Sequence, residues 1–444
     1  MNSENKNQTE YSEDVLSDNS TEKSNSQKEN KNTKIVKVIN DYKIKREQKA
    51  AENDVIFSET LTKAPEEPPQ PLRKGSIDKW FFLWTAMLIF FGAVMSYSAS
   101  AVVAQTEYDN SAYFLIRYIA FAAVAIAITV PFVIFVRPWF WRVFGAGLYA
   151  VTVVLLLLVM VIGVTGGGSQ RWIAIGPITI QPSELAKLAV VMVLALYMSK
   201  YEKEINSVHK FGGNFKHGFF MPMIIIGTLC ALIIIQPHLS GTIIVGMIGL
   251  IVMFLGGTRM KWLAAFVGII GVAGAIFLMI FGYSVNRVQI WLNIDKMDPL
   301  GDAWQTLQGL YAIGSGGFFG VGLGGSRQKF GYVPEPQNDF IFTIICEELG
   351  FVGAFAVVFL FILLVWRGIK IGQSAPDKFC ALVVWGITFK IALQVIMNIA
   401  VVTNSMPNTG ISLPFFSSGG TANMVQIFEV GIVLSISRFS ARKQ

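Results

Sequence analysis

The stretch VFGAGLYAVTVVLLLLVMVIGV, residues 143–164, contains no charged side chain. The hydrocarbon core of a bilayer is about 30 Å thick, so a helix needs about 20 apolar residues to cross it. Comparable stretches recur between residues 80 and 437, and the chain is 53% hydrophobic but only 15% charged. The sequence therefore predicts a protein whose helices cross a membrane repeatedly.

Apolar segments of this kind occur ten times along the chain. They are 80–103, 113–135, 143–164, 183–199, 219–235, 241–255, 262–282, 339–366, 379–402 and 420–437. They lack the period-2 alternation of a membrane β-barrel, so the predicted fold class is all-α, a polytopic bundle of about ten transmembrane helices. The sixth segment is short, which suggests a helix that is tilted or part of a broken pair. A large polar loop, about 283–338, separates the seventh and eighth segments.

The first 79 residues have a different composition from the rest of the chain. They are rich in Asn, Ser, Glu and Lys, and they end in a proline-rich run. Such a segment buries too little apolar surface to offset its ordering entropy, which predicts a disordered cytoplasmic tail at 1–79. No signal peptide is expected before residue 80. A membrane domain at 80–438 and a short cytoplasmic tail at 439–444 complete the predicted organisation.

The positive charges of the loops predict the orientation of the bundle. Lys and Arg are concentrated in cytoplasmic loops, chiefly in short ones. With the N-terminus inside, all short cytoplasmic connections carry Lys or Arg, whereas the short connections on the opposite side carry only Arg171. The long loop holds several bases, but long loops cross largely regardless of charge. We therefore expect a protein of the cytoplasmic membrane with both termini inside and the 283–338 loop outside.

Charged residues fall inside several predicted spans. Glu184 and Lys187 lie three residues apart at the start of the fourth span, where they share one helix face and can form an ion pair. Lys390 and Glu429 lie in the ninth and tenth spans. A charge at the bilayer centre costs about 2.5–3.5 kcal/mol, so such residues often mark function. A purely structural role in helix packing explains them equally well.

Further polar and glycine-rich segments cluster near the predicted outer face. Asp339 begins the eighth span, where it suits either an N-terminal cap or a site. Glu347 and Glu348 point about 100° apart on a helix, so at most one readily faces a cavity. Glycine-rich stretches at 166–168 and 316–325 either present N–H donors to an anion or make turns. The stretch PFFSSGG (414–420) predicts irregular backbone that needs protein or water around it.

Taken together, these segments resemble one family of membrane proteins. The matching stretches are QRWI (170–173), QPSELAK (181–187), QP (236–237), DPLG (298–301), WQ (304–305), AIGSGG (312–317), PE (334–335), DFIF (339–342), EELG (347–350) and TGISLPFFSSGG (409–420). In this order they resemble the SEDS family (shape, elongation, division and sporulation), and they are closer to its FtsW and SpoVE branch than to RodA. The chain departs from the common pattern at His238, where an aspartate is frequent.

The resemblance implies a peptidoglycan glycosyltransferase that joins lipid II units into glycan strands on the outer face of the cytoplasmic membrane. It further implies a class B penicillin-binding protein as partner, in cell division or sporulation. The family's catalytic aspartate maps onto Asp298, and its buried acid–base pair maps onto Glu184 and Lys187. Other division proteins and membrane lipid are expected partners, and nucleic acid is not.

The chemistry of this reaction gives roles to individual residues. A sugar hydroxyl needs a base to become a good nucleophile, and Asp298 is the candidate. Conversion of an α-linked diphosphate into a β-linked glycan implies inversion in a single displacement. The departing undecaprenyl diphosphate needs cationic or N–H stabilisation. The predicted substrate-binding residues are Arg171, Glu184, Lys187, Arg287, Gln305 and Asp339.

Metal ions and two other functional classes stay open at this stage. The three cysteines and three histidines are scattered, so no metal centre of these side chains is expected, although Mg²⁺ or Mn²⁺ is a candidate bridge to the phosphates. A lipid II flippase would also use buried charges and broken helices. A non-catalytic scaffold for a penicillin-binding protein is the third class. For Asp298, the alternative role is an Asp-Pro turn starter.

Overall fold

A computed structural model describes residues 75–166, 169–176, 178–207, 213–281, 290–296, 298, 301 and 303–439. The longer helices of this part are α1 (Lys79–Tyr108), α2 (Tyr113–Phe135), α3 (Pro138–Ile162), α4 (Pro182–Lys200), α5 (Lys216–Ile235), α6 (Leu239–Gly256), α7 (Met260–Phe281), α8 (Trp304–Gly316), α9 (Ile341–Gln373), α10 (Lys378–Val402) and α11 (Gly420–Ser437). The predictions for residues 1–74 and 440–444 lie outside the described residues, as does Arg287.

The predicted fold class is confirmed. Within the described residues, nine helices are long and apolar enough to cross a membrane, namely α1–α6 and α9–α11. The seventh predicted span coincides with α7, whose apolar part at Met260–Val272 has described side chains. The sixth span is one uninterrupted helix of 18 residues, so the suggested break is wrong.

Local sequence signals explain where several helices begin and end. The Asp78 carboxylate accepts a hydrogen bond from the backbone N–H of Phe81 at 2.9 Å, which caps α1. In the same way, Asp377 accepts from the backbone of Cys380 at 2.8 Å at the start of α10. Helix α6 ends at Gly257, whose φ of 105° suits glycine.

A small antiparallel sheet joins α3 to α4, and the sequence analysis did not predict it. Its strands are β1 (Val164–Gly166), β2 (Ser169–Ile175) and β3 (Ile178–Ile180), in the order β1-β2-β3. Ile173 pairs with Ile180 across β2 and β3. The alternation of isoleucine through these strands was the missed signal. The sheet matters because β2 carries Arg171.

Three helices form the interior of the bundle. The membrane-crossing windows of α4, α10 and α11 are 67%, 72% and 78% buried, whereas those of α2 and α3 are each 22% buried. Charged residues on α4, α10 and α11 are therefore enclosed by protein.

The two ends of the bundle are defined by the chain's path. The start of α1 meets the end of α11, where the Gly75 N–H donates to the Arg438 carbonyl at 2.7 Å. The opposite end, here called the distal end, holds the β-sheet and the α5–α6, α7–α9 and α10–α11 connections. The long predicted loop is not wholly irregular, because it contains α8, which packs on α9.

Candidate active site

The predicted ion pair between Glu184 and Lys187 is present. Pro182 occupies the first turn of α4, and the pair follows directly on the distal end of that helix. The Lys187 Nζ lies 2.6 Å from a Glu184 carboxylate oxygen, and the two side chains are 6% and 13% exposed. Each charge therefore has a partner that offsets the cost of its burial.

A second ion pair lies deeper, between Lys390 of α10 and Glu429 of α11. The Lys390 Nζ is 2.7 and 2.5 Å from the two Glu429 oxygens, and neither side chain is exposed. Sequence reasoning singled out both residues but not their pairing. Lys187 interacts electrostatically with both members of this second pair. The bundle interior thus contains four interacting charges that sum to zero.

Arg171 and His238 extend this charged group to the distal end. His238 is the N-cap residue of α6, and it interacts electrostatically with Arg171, Glu184 and Lys187. Burial, together with the positive charge of Arg171, lowers the pKa of His238 to about 4. The imidazole is therefore neutral at pH 7. Sequence reasoning noted His238 only as a departure from the family pattern.

Asp339 joins the same group from the start of α9. Burial, reinforced by the nearby Glu335 carboxylate, raises the pKa of Asp339 to about 6, and the positive charge of Arg171 opposes that rise. The N-cap residue of α9 is Phe340, and no side chain caps it, so the interpretation of Asp339 as the cap is wrong. Arg171 thus links Asp339 to His238, which in turn interacts with the α4 pair.

Asp298 lies at the surface, in the turn that leads to α8. Its carbonyl accepts a hydrogen bond from the Gly301 N–H at 3.1 Å, and the Gly301 carbonyl accepts from the Trp304 N–H at 3.0 Å. The side chain is exposed. The backbone of Asp298 thus starts a turn, as the alternative interpretation expected.

Gln305 connects three segments of the distal end. Its Nε2 donates to the Pro334 carbonyl at 3.3 Å, and its Oε1 accepts from Asn408 at 3.0 Å. Both ends of the amide are therefore engaged by protein. These two hydrogen bonds hold the start of α8 against its neighbours. The predicted role of Gln305 in substrate binding stays a prediction.

Glu347 and Glu348 are both buried, and they anchor different neighbours. Glu347 accepts hydrogen bonds from the Ser326 hydroxyl at 2.5 Å and from the Arg327 backbone at 2.9 Å. Glu348 accepts from Ser98 of α1 at 2.6 Å and forms a salt bridge with Lys329 at 3.0 Å. Because adjacent residues on a helix point in different directions, Glu347 and Glu348 bind different neighbours.

Glycines allow the segment at 317–333, here called the anchored segment, to touch the backbone of α9. A Cβ on Gly316 would lie 1.9 Å from the Cys346 carbonyl oxygen, and one on Gly320 would lie 2.2 Å from that of Glu348. Gly350 breaks α9 with a φ of 66°. These glycines serve turns and close packing.

Irregular backbone before α11 is buried, as predicted. Phe415 is 1% exposed, with a φ of 66°. Its carbonyl accepts a hydrogen bond from the Tyr118 hydroxyl at 2.6 Å, and its N–H donates to Gln426 at 2.8 Å. Protein side chains thus satisfy the polar groups that a helix would otherwise pair.

Comparison with known proteins places this architecture in a family. Residues 78–442 match the FtsW/RodA/SpoVE family model, described as "Cell cycle protein". Because the match covers most of the chain, this protein belongs to that family, as the resemblance predicted.

Individual relatives refine the assignment. Stage V sporulation protein E of Bacillus subtilis (strain 168) is 41% identical over 83% of this chain and 99% of that protein. The probable peptidoglycan glycosyltransferase FtsW of Trichlorobacter lovleyi is 34% identical over 83% of this chain and 95% of that protein. Its name agrees with the predicted enzyme class.

Solved structures share the fold. One, described as "Structural coordination of polymerization and crosslinking by a peptidoglycan synthase complex", has a TM-score of 0.65 at 26% identity, over 82% of this chain and 98% of that one. RodA of Thermus thermophilus has a TM-score of 0.60 at 23% identity, over 83% and 98%. The higher identities to the SpoVE and FtsW relatives confirm the predicted branch.

Proposed function

We propose that this protein is a peptidoglycan glycosyltransferase that polymerises lipid II into glycan strands on the outer face of the cytoplasmic membrane. The observation that carries the proposal is the match along the whole membrane part to relatives named as such enzymes. The charged group at the distal end supplies the setting for a substrate that carries a diphosphate.

In this proposal Asp298 is the general base. Its exposed carboxylate removes the proton from the acceptor sugar hydroxyl as that oxygen attacks the anomeric carbon of the growing strand. A positioned base of this kind contributes about 10²–10⁴-fold to rate. The bond from the anomeric carbon to the diphosphate breaks in the same step, so configuration inverts and no covalent enzyme intermediate forms.

Stabilisation of the departing undecaprenyl diphosphate falls mainly to Arg171. The Lys187 charge is largely offset by Glu184 at 2.6 Å, so Lys187 contributes less positive potential at the distal end. A guanidinium also presents a fork of N–H donors that matches phosphate oxygens. In this proposal Arg171 anchors the leaving group.

No step in this mechanism runs through a metal ion. Within the described part of the chain, no three His, Cys, Asp or Glu side chains are grouped so as to hold one. These residues therefore do not fit a resident Mg²⁺ or Mn²⁺ site built from protein ligands alone.

The same proposal implies a partner enzyme and an orientation of the bundle in the membrane. Polymerised strands are useful once crosslinked, so the enzyme acts with a class B penicillin-binding protein in division or sporulation. The start of α1 and the end of α11 lie at the end of the bundle opposite the charged group. The ends of the bundle at the start of α1 and the end of α11 then face the cytoplasm, and other division proteins are the partners expected on that side.

The test is glycan-strand formation from purified lipid II, with the cognate class B partner inactivated for crosslinking. We expect polymer from wild type and at least about 10²-fold less from Asp298→Asn. Asp109→Asn is the matched control, since Asp109 is an exposed carboxylate at the distal end of α1. Equal polymer from wild type and Asp298→Asn would remove Asp298 as the base. No polymer from wild type in an intact complex would point to the flippase or scaffold classes.

A further inference from the structure

His238 is held in place by packing at the distal end. Its ring lies on the first turn of α6, because a Cβ on Gly241 would be 2.7 Å from both Cε1 and Nδ1 of the imidazole. The Nδ1 atom is buried and forms no hydrogen bond within the described part of the chain. The ring is thus a polar group with a defined position and an unused hydrogen-bonding atom.

The charges that face this ring come from two elements. Arg171 faces it from β2, and Glu184 and Lys187 face it from α4. Burial and the positive charges of Arg171 and Lys187 keep the imidazole neutral against the opposing charge of Glu184, while Asp339 interacts with Arg171 from the start of α9. A partly buried imidazole with an unused nitrogen, close to a guanidinium, suits an anion that both groups can bind.

We infer that His238 is a proton-dependent ligand of the substrate's diphosphate. The inference rests on the proposed function and deepens it. As the phosphates bind beside Arg171, the ring takes one proton from solvent and becomes an imidazolium. The imidazolium then donates a hydrogen bond to a phosphate oxygen. No covalent bond to carbon or phosphorus forms or breaks in this step.

The magnitude of the electrostatic effect supports proton uptake. A single opposite charge within about 4–6 Å shifts a pKa by about 1–3 units, and a diphosphate carries more than one negative charge. The pKa of His238, about 4 without the ligand, then rises towards neutrality. Uptake of one whole proton makes the affinity rise by about tenfold for each unit that the pH falls.

The experiment counts protons during binding of inorganic pyrophosphate. The full chain is placed in lipid nanodiscs at pH 7, and calorimetric titrations are run in buffers of different ionisation enthalpy. Pyrophosphate itself titrates, so the informative quantity is the difference between proteins. We expect His238→Asn to take up about one-half to one proton fewer than wild type, and to bind with a weaker dependence on pH.

The matched control is His217→Asn. His217 shares a hydrogen bond with the Tyr197 hydroxyl at 2.9 Å near the opposite end of the bundle. We expect His217→Asn to match wild type in proton uptake. Equal uptake by wild type and His238→Asn would overturn the inference.

A second measurement decides the matter if the variant binds too weakly to titrate. Modification of histidines in the wild-type protein by diethyl pyrocarbonate is read by mass spectrometry, with and without pyrophosphate. We expect pyrophosphate to protect His238 and not His217, and an unprotected His238 would overturn the inference. Neither readout depends on turnover, so failure here leaves the polymerisation test of the proposed function to be judged separately.

Discussion

The turn at Asp298 and the anchored segment belong to the same connection between α7 and α9, yet the carboxylate in the turn and the two α9 carboxylates that hold the anchored segment differ in burial. Asp298 is exposed, and its backbone forms a simple turn. Glu347 and Glu348, which hold the anchored segment, are 2% and 0% exposed, and both accept close hydrogen bonds. An exposed carboxylate and two buried, structural carboxylates thus lie on successive segments of the chain.

Physical chemistry explains why the two roles are separated. A buried carboxylate must be paired and hydrogen-bonded, because removing it from water is costly. Once its oxygens are occupied, it cannot act as a base without breaking the structure that it holds. An exposed carboxylate keeps its contact with water, so it avoids that cost, and the proposed base, Asp298, is of this kind.

The largest loss of stability is expected when a buried carboxylate is removed. Glu348→Gln leaves the Lys329 ammonium, 5% exposed, without its 3.0 Å partner. Breaking a buried pair from one side costs about 3–5 kcal/mol. We expect a large fall in the thermal midpoint of the detergent-solubilised protein, measured by fluorescence-detected size exclusion after heating.

Glu107→Gln is the control for that experiment, because Glu107 is exposed near the end of α1. It should behave as wild type. A thermal midpoint for Glu348→Gln equal to that of Glu107→Gln would contradict the assignment of Glu348 as an anchor.

The next effect tests the backbone contact between α8 and α9. Gly316→Ala places a methyl group where the Cys346 carbonyl oxygen would be 1.9 Å away, and a backbone cannot yield as a side chain can. Overpacking costs about 1–3 kcal/mol, sometimes more. Gly314→Ala is two residues away in the same helix, and a Cβ there meets nothing within 4 Å. We expect a lower thermal midpoint for Gly316→Ala only, and equal midpoints for the two variants would rule out the close contact.

A smaller, pH-dependent effect is expected at Asp339, where the anchored segment leads into α9. Its folded pKa of about 6 lies above the ordinary value of 3.8. Below pH 4 the carboxyl is protonated in both folded and unfolded protein, so it costs nothing. Between pH 4 and 6 the unfolded chain ionises first, and stability falls as pH rises.

Asp339→Asn removes that ionisation. We expect its thermal midpoint to exceed that of wild type at pH 7.5 by about 2–4 °C, equivalent to about 1 kcal/mol after allowance for solvent screening of a half-buried group. At pH 4 the two midpoints should coincide. A variant less stable than wild type at pH 7.5 would show that the ionised carboxylate is stabilising.

The sequence was informative where signals are local and silent where partners are remote. Hydropathy predicted every span, and spacing predicted the contact between Glu184 and Lys187, because three residues along a helix share a face. Ser98 lies 250 residues from Glu348, and no local pattern links them. Helix α8 and the β-sheet were missed although their periodicities were present, because each is short and lies between long apolar segments.

The smallest expected effect on stability is that of Asp298→Asn. The comparison between Asp298 and the buried carboxylates depends on it most. Asp298→Asn replaces an exposed carboxylate by an amide of the same shape, and such surface changes usually alter stability by no more than about 0.5 kcal/mol. We expect a thermal midpoint equal to that of Asp109→Asn, alongside the loss of polymerisation. If Asp298→Asn instead lost stability as Glu348→Gln does, Asp298 would be another anchor, and lost activity could no longer be ascribed to a missing base. Activity lost with stability kept is the outcome that only a chemical role for Asp298 explains.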